Sequence, residues 1–174
     1  HAKAFRASPM YFGEDPAVPV LEIVADATPE LAEAGAKIVG CERWTADWRE
    51  VVGDPRVDVV DITTPNVTHA EIAIAACKAG KHVYCEKPLA MNVAEARAMV
   101  AAAEAAGVLT LVGFNFTKNP IQGLARKMIA NGDLGDILLV RGWSDEDFAI
   151  DPDLPFTWRM DKEVAGTGAL GDMA

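Results

Sequence analysis

The chain has 174 residues, 51% of them hydrophobic, and its 16 Lys and Arg against 26 Asp and Glu give a net charge of −10. This composition suits one packed domain plus part of another, and the acidic balance without a basic stripe argues against nucleic acid and anionic membranes as partners. Three cysteines without CxxC spacing predict reduced thiols in a cytoplasmic protein, and no apolar run approaches the roughly 20 residues of a membrane span.

The first part of the chain predicts strands that alternate with helices. The apolar run of residues 20–25 predicts a strand, and the helix after it is expected to begin near Thr28. A short strand over residues 36–40 and a short helix over residues 45–54 repeat the pattern. The β-branched run of residues 57–63 then predicts the next strand.

The alternation continues after the loop TPN. A helix follows, with Thr68 and Glu71 at the spacing of a capping box. The strand HVYC of residues 82–85 comes next, then a second helix with Asn92 as its expected cap, and a strand over residues 109–114 closes the series. Apolar strands that alternate with helices predict an α/β fold with a Rossmann-like, doubly wound parallel sheet.

The pattern changes near residue 115. Residues 120–136 predict one amphipathic helix, and residues 137–150 alternate as in an antiparallel strand. We therefore expect a dinucleotide-binding domain over residues 1–114 and the beginning of a second domain over residues 115–174.

One glycine pattern near the end of the chain needs a separate interpretation. The hexapeptide GTGALG matches the G-x-G-x-x-G pattern of dinucleotide-binding loops. It follows MDKEVA rather than an apolar strand, and it lies beyond the alternating region. We interpret it as a turn that leads into a helix, with Asp172 at or near the cap.

Ligands of an open parallel sheet bind where the strands end, because loops and helix N-termini meet there. Asp26 at one strand end could accept hydrogen bonds from ribose hydroxyls, or it could cap the following helix. Lys87 at another strand tip faces the crevice and suits proton transfer, or it is a lysine whose ammonium reaches water beside a carboxylate. Glu86 could orient Lys87 or contact a cofactor.

The histidines give little support for a metal site. His69 lies near the crevice mouth, where it could border a ligand, although a single helical histidine is more commonly a packing or surface residue. His1 and His82 form no cluster with cysteine or carboxylate ligands at recurring spacing. We therefore predict no metal.

The segments VDVVDITTPNVTHAEIAIAACKAGKHVYCEKPLA, VGFN and GTGALGDM, in this order, resemble the glucose-fructose oxidoreductase, inositol dehydrogenase and MocA family. The likeness covers essentially the whole chain, and EKP after TPN..H is its most specific part. It implies an NAD- or NADP-dependent dehydrogenase of sugars, inositols or related polyols. It also implies a C-terminal α+β domain with an open antiparallel sheet, and a homo-oligomer of the full-length protein.

The resemblance also implies roles for individual residues. Lys87 would lie beside nicotinamide and substrate as a catalytic residue, together with Asp172. The cofactor would be bordered by Asp26, Thr64, Pro65, Asn66, His69, Glu86 and Lys87. The substrate would be bordered by Asn115, Trp158 and Arg159. NAD is favoured over NADP because no arginine near Asp26 could receive a phosphate.

The sequence departs from the family pattern at both ends. A first strand with a Gly-rich loop would precede His1, and a histidine would follow shortly after Asp172. Because that first strand is central to the sheet, we expect its neighbours to have unpaired N–H and C=O groups. We therefore expect this chain alone neither to fold stably nor to bind NAD well.

Two other functions stay open on sequence grounds. One is a dinucleotide-binding regulatory or structural protein that performs no chemistry, for which the segment after Asp172 would be informative. The other is an NAD-dependent glycosidase or epimerase, in which a sugar carbon is oxidised transiently and the hydride returns. Product analysis, rather than cofactor reduction, would identify the second.

Overall fold

The computed structural model describes residues 1–13, 19–143, 145, 147, 150–168 and 171. The helices are α1 (Ala2–Phe12), α2 (Pro29–Val39), α3 (Trp48–Gly53), α4 (His69–Lys78), α5 (Val93–Ala106), α6 (Pro120–Ala130) and α7 (Lys162–Ala165). The strands are β1 (Val24–Ala25), β2 (Trp44–Thr45), β3 (Val59–Ile62), β4 (His82–Cys85) and β5 (Thr110–Val112). Short 3₁₀ turns span Asn66–Thr68, Asn115–Lys118 and Trp158–Met160.

The strands form two parallel sheets. One contains β1 and β2, and the other has the order β3-β4-β5, with Ile62 opposite Cys85 and Cys85 opposite Val112. Within the described residues, β1 pairs only with β2 and β3 only with β4, so each of them keeps one unpaired edge. The parallel pairing with helical crossovers is the arrangement that the alternating pattern predicts.

The core lies between the three-stranded sheet and helices α4 and α5. Along β3, Val60 and Ile62 are buried against these helices, while Val59 and Asp61 point to the other face of the sheet. The other large contributors to the core are Ile72, Ala76, Cys77, Val83, Cys85 and Met99. One face of this sheet is therefore fully packed, and Asp61 lies on the opposite face.

Two of the predicted helix starts are confirmed in atomic detail. The hydroxyl of Thr28 accepts the Leu31 N–H at 3.3 Å at the start of α2. Asn92 accepts the Glu95 N–H at 3.0 Å at the start of α5, while the Glu95 carboxylate accepts the Met91 N–H at 3.0 Å. The pair is a variant of the capping box, because Glu95 accepts the N–H of the residue before the cap rather than that of Asn92 itself.

The capping box predicted at Thr68 is wrong. The Thr68 side chain makes no capping hydrogen bond to α4. Its hydroxyl instead lies 2.8 Å from the Pro65 carbonyl oxygen and 2.6 Å from the Thr64 hydroxyl. A 3₁₀ turn precedes α4, so these local partners outcompete the helix N–H groups for the Thr68 oxygen.

Two predicted strands are also absent where they were expected. Residues 36–40 complete α2, which ends at Gly40 with φ of 62°, and the second strand instead covers Trp44–Thr45. The described residues of 137–150 contain no strand, and Leu138 is 93% exposed. A strand needs a neighbour for its N–H and C=O groups, and none of the described residues pairs with this range.

Helix α1 was not predicted from the pattern of the sequence. It contains Pro9, and the Arg6 side chain donates to the Gly40 carbonyl oxygen at 3.1 Å, which joins α1 to the end of α2. Of the helices in the described part of the chain, none is both long enough and apolar enough to cross a lipid bilayer.

Candidate functional site

The carboxyl end of the three-stranded sheet collects most of the predicted site residues. Thr64 follows β3, and Glu86 and Lys87 follow β4. Main-chain hydrogen bonds continue the parallel pairing past the strands. The Glu86 N–H donates to the Ile62 carbonyl oxygen at 2.8 Å, and the Gly113 N–H donates to the Cys85 carbonyl oxygen at 2.8 Å. The first residue of the EKP turn is therefore hydrogen-bonded to the sheet.

The Glu86 carboxylate organises this turn. Its Oε2 atom accepts the Lys87 N–H at 2.8 Å. The side chain of Lys87 is half-buried in the same turn. A carboxylate that accepts a main-chain N–H of the next residue restricts the backbone there, so this bond fixes the peptide between Glu86 and Lys87.

His69 links two loops of the site. Its Nδ1 atom lies 2.8 Å from the Pro88 carbonyl oxygen, and its Nε2 atom lies 2.9 Å from the Thr64 carbonyl oxygen. The residue has no exposed surface. Both ring nitrogens are therefore taken by the chain itself, and the ring lies behind the loops rather than on the surface of the crevice.

The loop after β3 also contacts the C-terminal part of the chain. Asn66 is 4% exposed, and its Nδ2 atom donates to the Ala165 carbonyl oxygen at 3.0 Å, which docks the end of α7 on this loop. Gly166, the residue after Ala165, packs beside the segment that follows EKP, because a Cβ at Gly166 would lie 3.3 Å from the sulfur of Met91. The sequence pattern gave no sign of this contact.

The predicted substrate residues lie in two 3₁₀ turns, one after β5 and one before α7. Asn115 begins an exposed 3₁₀ turn after β5, and its N–H donates to the Gly113 carbonyl oxygen at 2.9 Å. Trp158 and Arg159 form the 3₁₀ turn just before α7, where the guanidinium lies 4.4 Å from the centre of the indole ring. Asp172 lies outside the described residues.

Asp26 is exposed at the carboxyl end of β1, as predicted. Its Oδ1 atom accepts the N–H of Ala27 at 2.7 Å. The cap of the next helix is Thr28, so the alternative interpretation of Asp26 as that cap is wrong. A carboxylate in this position can accept hydrogen bonds from a ribose.

A further cluster of polar groups lies on the open face of the sheet, and sequence reasoning missed it. The ring of His1 bridges two carboxylates: Nδ1 lies 2.8 Å from Oδ1 of Asp61, and Nε2 lies 2.8 Å from Oε1 of Glu86. The same ring stacks on Tyr84 with 4.6 Å between centroids. The second of two acidic residues in the run VDVVDIT, Asp61, was the only sequence signal for it.

The electrostatics of this open face differ from those of an ordinary surface. Burial raises the pKa of Asp61 to about 6, and the Glu86 carboxylate adds to the rise. Burial, with the same two carboxylates, raises the pKa of the Cys85 thiol to about 12. Negative charge is therefore concentrated where β3 and β4 end.

Comparison with known proteins gives a consistent result. Residues 1–114 match the sequence model of an oxidoreductase family with an NAD-binding Rossmann fold, and residues 124–174 match the GFO/IDH/MocA C-terminal domain. Levoglucosan dehydrogenase of Pseudarthrobacter phenanthrenivorans is 48% identical over 174 residues, which are 100% of this chain and 45% of that protein. The 1,5-anhydro-D-fructose reductase of Ensifer adhaerens is 37% identical over 145 residues, covering 82% of this chain and 43% of that protein.

A solved structure of levoglucosan dehydrogenase in complex with NADH and levoglucosan is also similar. It superposes with a TM-score of 0.90 at 46% identity, over 100% of this chain and 47% of the solved one. The present chain thus spans about half the length of the relatives that it matches.

Proposed function

Because the chain belongs to the GFO/IDH/MocA oxidoreductase family, we propose that the full-length protein is an NAD-dependent dehydrogenase of a sugar, inositol or related polyol. The observation that carries the proposal is the position of Lys87 at the carboxyl end of β4, in a turn held by Glu86 and His69. A positioned amine at the rim of a Rossmann sheet suits proton transfer with an alcohol.

Oxidation of a secondary alcohol removes a hydride from carbon and a proton from oxygen. Bound NAD would supply the hydride acceptor. In our proposal Lys87 takes the hydroxyl proton, and Asp172 holds the same hydroxyl in position. Glu86 and His69 keep the lysine in place by fixing the main chain on either side of it.

The cofactor contacts in this proposal come from strand ends. Asp26 would accept the ribose hydroxyls, and the exposure of its carboxylate beyond β1 fits that role. The same negative charge would repel a 2′-phosphate, which favours NAD over NADP. Thr64 and Pro65 would border the nicotinamide side. His69 acts from behind these loops, since its ring has no exposed surface.

The substrate side would be formed by Asn115, Trp158 and Arg159. The hydrogen bond between Asn66 and Ala165 supports the assignment of Trp158 and Arg159. It holds α7, which follows these two residues, next to the loop at the end of β3. We further propose that the second domain begins near residue 115 and that the full-length protein is a homo-oligomer. An anhydro sugar is the first substrate to test, because two relatives carry names of that class.

The test uses the full-length protein with NAD and with NADP. Candidate substrates are levoglucosan, other anhydro sugars, inositols and glucose, and the readout is absorbance of the reduced nicotinamide. We expect oxidation of at least one of them, with kcat/KM higher for NAD than for NADP. Tight NAD binding without turnover of any polyol would instead indicate a regulatory protein. A rearranged or cleaved sugar without net cofactor reduction would indicate the epimerase or glycosidase chemistry.

A further inference from the structure

The strongest unassigned feature is the hydrogen-bonded cluster of the Asp61, His1 and Glu86 side chains on the open face of the sheet. Each contact of the imidazole, at 2.8 Å, needs one proton between its two atoms. Two protons are therefore shared by the three side chains, either as an imidazolium between two carboxylates or as a neutral ring beside one carboxylic acid. Both states hold Glu86 by a hydrogen bond to the ring.

The cluster is not arranged as a metal site. Among the residues that the structure describes, no group of three or more His, Cys, Asp or Glu side chains is placed to hold a metal ion. The ring of His1 is also stacked on Tyr84, which fixes its plane. The geometry is therefore that of a hydrogen-bonded support for Glu86.

A second observation at the same carboxylate comes from Gly113. A Cβ at this position would lie 3.0 Å from the carboxyl carbon and from both oxygens of Glu86. The backbone of Gly113 does not have a positive φ, so conformation does not require a glycine here. What the glycine provides is space, because a Cβ here would require the Glu86 carboxylate to shift by a few tenths of an ångström.

We propose that His1, backed by Asp61, is a positioning residue that fixes the Glu86 carboxylate and, through it, the main-chain amide of Lys87. The inference rests on the proposed dehydrogenase function. It adds a hydrogen-bonded connection from His1, at the start of α1, to the backbone of the EKP turn. The sequence of contacts is continuous: Asp61 to His1, His1 to Glu86, and Glu86 to the Lys87 N–H. Small displacements of a reacting group cost large factors in rate, so loss of this support lowers turnover.

The test compares two substitutions of His1 in the full-length protein. His1→Phe keeps a ring that can stack on Tyr84 but removes both nitrogens, and His1→Gln restores an N–H donor toward Glu86. We expect His1→Phe to lower kcat by roughly tenfold to a hundredfold, with the Kd for NAD within about twofold of wild type. His1→Gln should recover most of the lost kcat.

Hydrogen exchange of the Lys87 amide provides a readout that does not depend on catalysis. We expect its exchange to be faster in His1→Phe by about tenfold, because the acceptor Glu86 is no longer held. Gly113→Ala should accelerate the same amide, whereas Gly123→Ala, with nothing within 4 Å of the added Cβ, should not.

The outcomes separate this proposal from the proposed function. Unchanged exchange of the Lys87 amide in His1→Phe overturns the positioning role, whether or not the protein oxidises a sugar. Equal losses of kcat in His1→Phe and His1→Gln also overturn it, since the donor would then be irrelevant. Faster exchange of the Lys87 amide in His1→Phe than in wild type, in a protein that oxidises no polyol, would retain the support and reject the dehydrogenase.

Discussion

Two aspartates near strand β3, one ahead of it and one within it, have opposite environments. Asp54, ahead of β3, accepts hydrogen bonds from the guanidinium groups of Arg56 and Arg43, and these hold its pKa far below the usual range. Asp61, within β3, has its pKa raised to about 6 by burial, with Glu86 nearby. One carboxylate is compensated by positive charge, and the other lies in a region of excess negative charge.

The contrast extends to the two ends of the parallel strands. We call the side where the strands begin the amino edge and the side where they end the carboxyl edge. At the amino edge, Arg43 also binds Glu22 at 2.7 Å, and the Lys81 ammonium donates to the carbonyl oxygens of Asp54 and Val57 at 2.8 and 2.7 Å. These bonds join the starts of several strands. At the amino edge, paired charges lower a carboxylate pKa and join the strands. At the carboxyl edge, burial and neighbouring negative charge raise the pKa values of Asp61 and Cys85, which is typical of functional sites.

The largest effect should follow from Lys87→Met in the full-length protein. If Lys87 accepts the substrate proton, kcat should fall by about two to four orders of magnitude, while the affinity for NAD stays largely unchanged. Steady-state kinetics and NAD titration would measure both. Lys78→Met, at an exposed lysine in the last turn of α4, is the matched control and should leave turnover intact. Unchanged turnover in Lys87→Met would remove the lysine from this role.

The second prediction concerns the link between loops at the carboxyl edge. His69→Leu leaves the carbonyl oxygens of Thr64 and Pro88 without their partner in the protein interior. We expect the free energy of unfolding to fall by about 2–4 kcal/mol, together with kcat. His82→Leu, which loses only the contact with the Leu109 N–H at 3.1 Å, is the control. Equal denaturation midpoints for the two variants would contradict a linking role for His69.

At the amino edge, removal of charge should affect stability alone. Asp54→Asn leaves Arg43 and Arg56 without the carboxylate that both of them bind, so we expect the melting temperature to fall by several degrees. The exposed neighbour Asp58→Asn should not shift it. Both variants should keep the wild-type kcat, and a selective loss of kcat in Asp54→Asn would break the division between the two edges.

The smallest expected effect is the pH dependence that comes from Asp61. Its pKa of about 6 in the folded protein lies above the ordinary value of 3.8, so the folded state binds this proton more tightly than the unfolded state. The contribution to stability is therefore full below about pH 4 and is lost as pH rises to about 6. Relative to Asp61→Asn, the wild type should lose roughly 1–2 kcal/mol across this window in urea titrations. Parallel profiles of the two proteins would contradict it.

Much of the architecture was accessible from local patterns. The alternating strands and helices, the caps Thr28 and Asn92, and the strand HVYC are confirmed, as are the family and its NAD-binding Rossmann domain. The errors have a local cause as well. Residues 36–40 are compatible with both a strand and a helix end, and periodicity alone does not separate the two.

The sequence by itself determined the class of fold, the place of the EKP turn at a strand end and the acidic character of the chain, because these depend on neighbouring residues and on composition. Only the tertiary structure decided which groups meet across 60 or 85 positions, as His1 does with Asp61 and Glu86. Such contacts follow from parallel strand register and from the packing of α1, which no local pattern encodes. The same physical reason places His69 behind the loops, since its two acceptors come from separate strand ends.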